Sequence, residues 1–238
     1  LGKPASISGN CTTCHDTPNV GNHSLPLPLD ISTGHDPVNE SDPLIEDLEV
    51  TLEALREELH VSAENRGTVV GPVTFVDDGD RVDCTKLGKG GYSVPSIVEP
   101  EYIQISKCTA DFILLVEKGT QWNRLSEDKF WRRYNCVLIT GNGQPPRGVR
   151  RLVRRLHEDY KLPVYVLVDN DPWGYYIYSV VKQGSINLAF ESQRMAIPKA
   201  KFIGFSSADP DRYGLPRNVG IKLNDKDINR AKELMKYK

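Results

Sequence analysis

The sequence predicts an α/β fold in which a parallel sheet is flanked by helices, with a helix and a small β-rich region before it. Two observations indicate this fold class. From about residue 110, short apolar runs alternate with amphipathic segments, which is typical of consecutive βαβ units. Residues 164–168 form an apolar run without polar alternation, as expected of a strand that is covered on both faces.

The first predicted elements precede the α/β part. Residues 41–59, SDPLIEDLEVTLEALREEL, predict an amphipathic helix with Ser41 or Asp42 as its N-cap and Pro43 in its first turn. Residues 67–94 predict short strands and turns, because TVVGPVTFVDDGDRVDC is followed by the Gly-rich stretch GKGGYS. We therefore expect a connecting region of one helix and several strands over residues 42–108.

The remaining chain, residues 109–238, predicts strands and helices in alternation. The strands are DFILLV, CVLIT, VYVLV and KFIGF. The helices are predicted near residues 126–134 and over RGVRRLVRRLHEDY, WGYYIYSVVKQ and KDINRAKELMKY. Because a helix separates successive strands, the strands are expected to run parallel in one sheet.

Composition excludes several classes of protein. The 238 residues carry a formal net charge of −2, with 39% hydrophobic and 26% charged residues, as in ordinary globular proteins. No run of 18 apolar residues predicts a membrane span, so no membrane partner is expected. The five cysteines are an odd number at scattered positions, and Cys84, Cys108 and Cys136 are expected to be reduced thiols in a cytoplasmic protein.

Residues 1–41 differ from the rest of the chain in composition. Cys11, Cys14 and His15 form the Cys-x-x-Cys-His pattern of c-type haem attachment, and the stretch resembles a fragment of a di-haem cytochrome c peroxidase. Forty loop-like residues cannot enclose a haem, and the methionines that could complete its ligation, Met195 and Met235, lie far along the chain. We therefore expect an unrelated or disordered leader, with a c-type haem protein or a zinc site as alternatives.

Acidic residues follow two of the predicted strands. Glu117 ends the first strand of the α/β part, and Asp169 and Asp171 follow the third. Carboxyl ends of parallel strands meet at one edge of a sheet, and carboxylate oxygens are the ligands that magnesium prefers. The purely structural alternatives are an ion pair of Glu117 with Lys118 or an arginine, and capping of the next helix by Asp171 with Asp169 exposed to solvent. Capping accounts for one aspartate, whereas a divalent metal accounts for both.

A basic helix is the second candidate feature. Five arginines fall within nine residues around an apolar stripe, and four of them are candidates for DNA-backbone contacts: Arg147, Arg150, Arg151 and Arg154. Guanidinium groups match phosphate oxygens, and the preceding loop TGNGQPPRG offers backbone amides to a phosphate. The alternative is a solvated helix face with salt bridges to Glu158 and Asp159.

A strand ending in Glu and another ending in Asp-x-Asp-Pro-x-Gly resemble the signature of the Toprim domain, a Rossmann-like module shared by topoisomerases and primases. Longer strings are similar to the A-subunit family of archaeal DNA topoisomerase VI, which is related to the meiotic double-strand-break protein: LVEKG, GNGQPPRGVRRL, VDNDPWGYYIYSVVKQGSINLAFESQRMA and IEDLEVTLEALREEL. The resemblance covers about residues 42–238, with the Toprim domain over residues 109–238.

The resemblance implies a function and a set of partners. Glu117, Asp169 and Asp171 fall on the family's magnesium ligands. The chain would be the DNA cleavage and rejoining subunit of an ATP-dependent type II topoisomerase, in which a tyrosine attacks the DNA backbone. Two A subunits would form a homodimer, and a topoisomerase VI B subunit would bind the ATP.

The nucleophilic tyrosine of that family lies in a winged-helix domain that precedes the Toprim domain. All ten tyrosines of this chain occur at or after Tyr92, so no catalytic residue is expected in it, and the chain resembles an A subunit truncated at its C-terminus. Tyr175, Tyr176 and Tyr178 are expected to pack within the fold. The alternative function is a non-catalytic module for DNA binding or dimerisation.

Overall fold

A computed structural model describes residues 37–55, 57–184, 189–216 and 220–236. The chain divides into two compact units, residues 1–64 (unit 1) and residues 65–238 (unit 2). The haem-motif residues Cys11, Cys14 and His15 lie outside the described residues.

The first helix, α1, spans Pro37–Leu52 in unit 1. It begins before Ser41, so the predicted N-cap at Ser41 or Asp42 is wrong. It also ends seven residues earlier than predicted, because Glu53 adopts a left-handed backbone with φ of 51°. After this break Leu55 N donates a hydrogen bond to Glu58 Oε2 at 2.8 Å, which closes a turn in place of further helix.

Unit 2 contains two sheets. Its strands, in chain order, are β1 Thr68–Val70, β2 Val73–Asp77, β3 Asp80–Asp83, β4 Tyr92–Ser93, β5 Ile103–Cys108, β6 Phe112–Val116, β7 Cys136–Thr140, β8 Val164–Leu167 and β9 Lys201–Ile203. The larger sheet has the order β4-β1-β7-β6-β8-β9, and the smaller has the order β3-β2-β5. The smaller sheet is antiparallel throughout.

The larger sheet confirms the predicted parallel arrangement and adds two strands to it. Strands β7, β6, β8 and β9 run parallel, and Val116 of β6 is level with Thr140 of β7 and Leu167 of β8. The carboxyl ends of these three strands therefore lie side by side. Strands β1 and β4 of the β-rich region extend the same sheet in antiparallel pairing, which the sequence did not predict.

The helices of unit 2 occur in the predicted order, but one predicted helix is divided, and two short helices, Ala189–Met195 and Asp209–Arg212, were not predicted. The helices of unit 2 are α2 Gly119–Glu127, α3 Phe130–Arg133, α4 Arg147–Tyr160, α5 Pro172–Gln183, α6 Ala189–Met195, α7 Asp209–Arg212 and α8 Asp225–Lys236. The single helix predicted near residues 126–134 is two short helices, because Lys129 between them has a left-handed φ of 52°. None of the described helices is long and apolar enough to cross a membrane.

The core of unit 2 lies between the larger sheet and the helices that cover it. Every residue of β7 is buried, as expected of a strand in the middle of a covered sheet. The apolar stripe of α4 is at most 1% exposed and consists of Val149, Leu152, Val153 and Leu156. Cys84, Cys108 and Cys136 are free thiols, as predicted, and burial raises the pKa of Cys84 and Cys136 to about 12.

A cluster of charged side chains fastens α4 to its neighbours. Arg151 Nε and Nη2 donate to the two carboxylate oxygens of Glu99 at 2.7 and 2.9 Å, and Arg194 Nη2 lies 2.7 Å from Glu99 Oε1. Arg155 Nη1 donates to the carbonyl oxygen of Ile103 at 2.9 Å. Burial alone would raise the pKa of Glu99, but the hydrogen bond and charge of Arg151, followed by the charge of Arg194, hold it below the ordinary value of 4.5.

Replacing Glu99 by Gln should lower the free energy of unfolding by roughly 2–3 kcal/mol at pH 7, because two largely buried guanidinium groups lose their counter-charge. The pKa of Glu99 is lower in the folded chain than in the unfolded chain. The contribution of Glu99 to the free energy of unfolding is therefore complete above the ordinary glutamate pKa of 4.5. It is lost as the pH falls through the pKa that Glu99 has in the folded chain.

Urea denaturation of the parent and the Glu99→Gln variant over a series of pH values measures this effect. The exposed neighbour Glu101 supplies the control, since Glu101→Gln should change stability little at any pH. The difference in the free energy of unfolding between the parent and Glu99→Gln should decrease as the pH falls below 4.5. A difference that keeps its full size at the lowest pH where the chain still folds would mean that the charge of Glu99 contributes nothing.

Candidate metal centre and basic helix

The ends of β6 and β8 bring Glu117 and Asp169 together. Glu117 directly follows β6, and its backbone N–H donates to Leu167 O at 2.9 Å, which continues the pairing of the two strands. The backbone N–H of Asp169 in turn donates to Glu117 Oε2 at 3.0 Å. Glu117 is therefore oriented by the backbone of the segment that carries both aspartates.

Asp169 is held by the first residues around α2. Lys118 Nζ lies 3.3 Å from Asp169 Oδ2, and Gln121 Nε2 donates to Asp169 Oδ1 at 3.4 Å. One structural alternative from the sequence was an ion pair of Lys118 with Glu117. In the structure the ammonium group of Lys118 instead contacts Asp169, which follows β8. The sequence did not predict that Gln121 contacts Asp169. The one available signal was its position three residues after Lys118, at the start of a helix.

Asp171 is the N-cap of α5. Its Oδ1 accepts a hydrogen bond from Gly174 N at 2.7 Å, and Pro172 occupies the first turn, as the capping alternative predicted. Gly174 is required by close packing, since a Cβ atom there would lie 2.2 Å from the carbonyl oxygen of Asp169. The cap and this close contact fix the start of α5 against the end of β8.

The loop after β7 closes over the same strand ends. Gly143 N donates to Glu117 O at 2.8 Å, and Asn142 N donates to Thr140 Oγ1 at 3.1 Å. A Cβ atom on Gly119 would lie 2.3 Å from Asn142 Oδ1, so the loop approaches the start of α2 closely. The sequence predicted that amides of this loop could bind a phosphate. The N–H groups of Asn142 and Gly143 instead donate hydrogen bonds to groups within the protein.

The three carboxylates share one electrostatic environment. Burial raises the pKa of Glu117 above its ordinary value; the Asp169 N–H bond opposes this, and the negative charges of Asp169 and Asp171 raise the pKa further. The charge of Lys118 lowers it by a smaller amount. The edge of the sheet at Glu117 therefore carries negative charge that the protein's own groups compensate only in part.

The carboxylates fit a hard divalent cation in their chemistry and in their place at the sheet edge. Among the described residues, however, no three His, Cys, Asp or Glu side chains form a group that could hold a metal ion as they stand. Asp169 is turned towards Lys118, and one oxygen of Asp171 is committed to the helix cap. A metal at this site would therefore share Asp169 with Lys118 or replace it.

The arginines of α4 are largely engaged within the protein. Arg150 is 6% exposed, Arg151 bonds Glu99 as described above, and Arg154 contacts the carbonyl oxygen of Ala196 and lies 2.6 Å from Glu158. Arg147, at the first position of α4, is half-buried. The Arg154–Glu158 pair agrees with the salt-bridged alternative, and DNA-backbone contact by these four arginines stays a prediction.

The tyrosines of α5 make contacts of the kind expected for packing. The ring of Tyr175 stacks on Phe202 with centroids 5.4 Å apart, and its hydroxyl donates to Asn170 Oδ1 at 3.2 Å. Tyr178 donates to the carbonyl oxygen of Ala200 at 3.0 Å. Tyr176 packs under the guanidinium of Arg230, which lies 4.4 Å from its ring centroid.

Two parts of the chain match known protein families. Residues 63–109 match the family described as the all-beta domain in the alpha subunit of DNA topoisomerase VI. Residues 112–238 match the family described as the Toprim domain of the topoisomerase 6 A subunit/Spo11. These ranges correspond to the β-rich segment and to the α/β segment that begins at β6.

Three curated relatives illustrate the similarity. The chain is 44% identical over 211 residues to the A subunit of type 2 DNA topoisomerase 6 from Aeropyrum pernix, a match that covers 85% of this chain and 54% of the relative. It is 46% identical over 185 residues to the protein of the same name from Pyrococcus horikoshii, covering 78% and 48%. It is 41% identical over 198 residues to the A3 subunit of DNA topoisomerase 6 from Oryza sativa subsp. indica, covering 82% and 44%.

The chain spans about half the length of the curated relatives it matches. The agreement between the matched segments and the observed sheets, together with the carboxylates at the ends of β6 and β8, leads to one conclusion. The chain belongs to the family of the topoisomerase 6 A subunit and Spo11, and residues 112–238 are its Toprim domain.

Proposed function

We propose that this chain supplies the Toprim half of the DNA-cleavage site in an ATP-dependent type II DNA topoisomerase. The observation that carries the proposal is the hydrogen bond from Asp169 N to Glu117 Oε2 at 3.0 Å, which joins the two strand ends that bear the acidic residues. Asp171 adds its charge to the same edge of the sheet. The names of the curated relatives, which are A subunits of DNA topoisomerase 6, support the same function.

Glu117, Asp169 and Asp171 would hold the magnesium ion in this function. The chemistry that magnesium supplies at such a site is stabilisation of negative charge on the scissile phosphate. The chain's own contribution is orientation: the Asp169 N–H fixes Glu117, and the helix cap fixes Asp171 through Oδ1. Holding Glu117 and Asp171 in this way would lower the cost of assembling the site when the ion arrives.

The partners follow from the same proposal. A second copy of the chain would complete a homodimer across the DNA, and a topoisomerase VI B subunit would bind and hydrolyse the ATP. The word "subunit" in the names of the relatives supports an assembly of this kind.

Because the arginines of α4 are engaged internally, we assign DNA-backbone contact to a different basic surface, the lysine cleft. This cleft of about 590 Å³ lies beside the end of α2 remote from Glu117 and is lined by Thr85, Lys86, Gly88, Lys89, Ser126, Glu127, Lys129, Trp131 and Arg132. Its lysines Lys86 and Lys89 are 79% and 83% exposed, so their ion pairs with single acids are weak. Four cations against one acid on the lining favour a phosphate backbone.

Magnesium should raise the melting temperature of the parent chain, because a ligand that binds only the folded state stabilises it. At ten to one hundred times the dissociation constant, the gain is about 1.4–2.7 kcal/mol. Replacing Asp169 and Asp171 together by Asn should abolish this gain. Asn also caps helices well, so the double variant keeps the start of α5, whereas Asp171→Ala should lose about 1 kcal/mol even without magnesium.

The β2–β3 turn supplies a matched control for the magnesium experiment. Asp78 and Asp80 repeat the Asp-x-Asp spacing at an exposed site, and Asn substitution there should leave the magnesium response unchanged. An equal response of the parent and the Asp169→Asn, Asp171→Asn variant would place the magnesium elsewhere.

DNA binding should be weak, independent of sequence and sensitive to salt, because it rests on contacts with phosphates. Replacing Lys86, Lys89 and Arg132 by Gln should reduce the slope of log K against log salt by roughly 1 to 3. Fluorescence anisotropy with two DNA duplexes of unrelated sequence, at several salt concentrations, measures this slope. The control removes the same charge from exposed positions of α8, as Lys226→Gln, Lys232→Gln and Lys236→Gln, and a slope reduced equally by both sets would reject the lysine cleft.

We expect this chain to form no covalent link to DNA when it is mixed with a B subunit, ATP, magnesium and supercoiled plasmid. A bound phosphate reacts only when the attacking group is also in line, and the tyrosines of α5 are held by packing contacts. Plasmid relaxation and denaturing capture of protein–DNA adducts test this, with a full-length relative as positive control. Adducts that form with the parent but not with Tyr175→Phe or Tyr176→Phe would show that a tyrosine of α5 attacks DNA, contrary to the expectation. Adducts that persist in both variants would implicate Tyr92 or Tyr102.

A further inference from the structure

Lys118 lies where its charge is unfavourable for the helix that follows it. It occupies the N-cap position of α2, with φ of −89° and ψ of 117°, and its side chain makes no cap hydrogen bond. The N-terminus of a helix carries partial positive charge, so a cation there is destabilising by the helix alone. The first turn of α2 also contains no acidic residue to offset it. Another interaction must therefore account for the position of the ammonium group.

That interaction is with the carboxylates at the ends of β6 and β8. Lys118 Nζ lies 3.3 Å from Asp169 Oδ2 and is the cation that acts on the charge of Glu117. The pair is loose, because the two side chains are 57% and 34% exposed and only one nitrogen–oxygen contact of 3.3 Å joins them. Ion pairs with this exposure contribute little and exchange readily with solvent ions.

We propose that Lys118 is a surrogate cation for the metal site, which holds Asp169 in the absence of metal and competes with a divalent ion for it. The proposal rests on the proposed magnesium site at Glu117, Asp169 and Asp171. A divalent ion bound by Asp169 displaces the Lys118 ammonium from Oδ2, and the repulsion between the two cations weakens metal binding. Gln121, which donates to the other oxygen of Asp169, keeps the carboxylate at the sheet edge during the exchange.

The proposal predicts that removing the charge of Lys118 tightens divalent binding. Magnesium titration of the full 238-residue chain by isothermal calorimetry, with manganese titration followed by electron paramagnetic resonance, measures the dissociation constants. Lys118→Met should bind both ions roughly three- to tenfold more tightly than the parent at low salt. The gain should shrink as the ionic strength rises, because the repulsion is screened.

Two matched variants separate charge from packing. Lys118→Arg keeps the positive charge and should bind the ions no more tightly than the parent. Lys86→Met removes a lysine that also lies 3.3 Å from an aspartate, Asp83, but belongs to the lysine cleft, and its metal affinity should equal that of the parent. Circular dichroism of each metal-free variant confirms that it is folded before titration.

The outcomes distinguish this proposal from the magnesium site on which it rests. If the parent binds in a manner that depends on Asp169 and Asp171, and Lys118→Met has the same or weaker affinity, the surrogate role is overturned and the magnesium site stands. If neither the parent nor Lys118→Met binds either ion, both proposals fail. If only Lys118→Met binds, the surrogate role is supported and magnesium binding by the parent is rejected.

Discussion

The constraint on which the rest of the candidate site depends is the register of two parallel strands. Val116 and Leu167 are level with each other in β6 and β8, so the residues that follow them must emerge at one edge. A backbone hydrogen bond from Glu117 N to Leu167 O fixes this arrangement, and a second bond, from the backbone N–H of Asp169 to the side-chain oxygen Oε2 of Glu117, orients the glutamate. The fold thus forces like charges together, and the neighbouring groups are arranged around that repulsion.

The basic helix shows how packing decides between two interpretations of one residue type. Arginine suits phosphate contact and buried ion pairing equally well, since both use its planar fork of donors. Glu99 lies 52 residues from Arg151, yet it accepts both of that fork's hydrogen bonds, and Arg194 approaches it from α6. Arg151 therefore attaches α4 to neighbouring segments of the protein.

Local patterns predicted most of the elements, and they failed where the cause is conformational or distant. The runs that became β6 and β7 could be recognised because burial on both faces leaves an apolar signature, and β8 shows the same signature although Tyr165 and Leu167 are only partly buried. Propensity gives no sign that Glu53 and Lys129 adopt left-handed backbones, and these residues end α1 and divide the helix predicted near residues 126–134. The Asp-x-Asp pattern predicted both the helix cap and the cluster of acidic residues. The contact of Lys118 with Asp169 could not be predicted, because it depends on the order of the strands in the sheet, and spacing along the sequence does not give that order.

Two carboxylate–cation systems of unit 2, at Glu99 and at Asp169, differ in ways that suit different roles. Glu99 is 13% exposed and is joined by the two parallel hydrogen bonds that an arginine fork makes, a geometry that is costly to open. Asp169 is 34% exposed and meets a single ammonium group on a flexible stem. Were an arginine at position 118 to form the same fork with Asp169, the carboxylate would be committed to the protein. A lysine there satisfies the charge and leaves the oxygens exchangeable, which is the property that a site for a weakly bound, hydrated divalent ion requires.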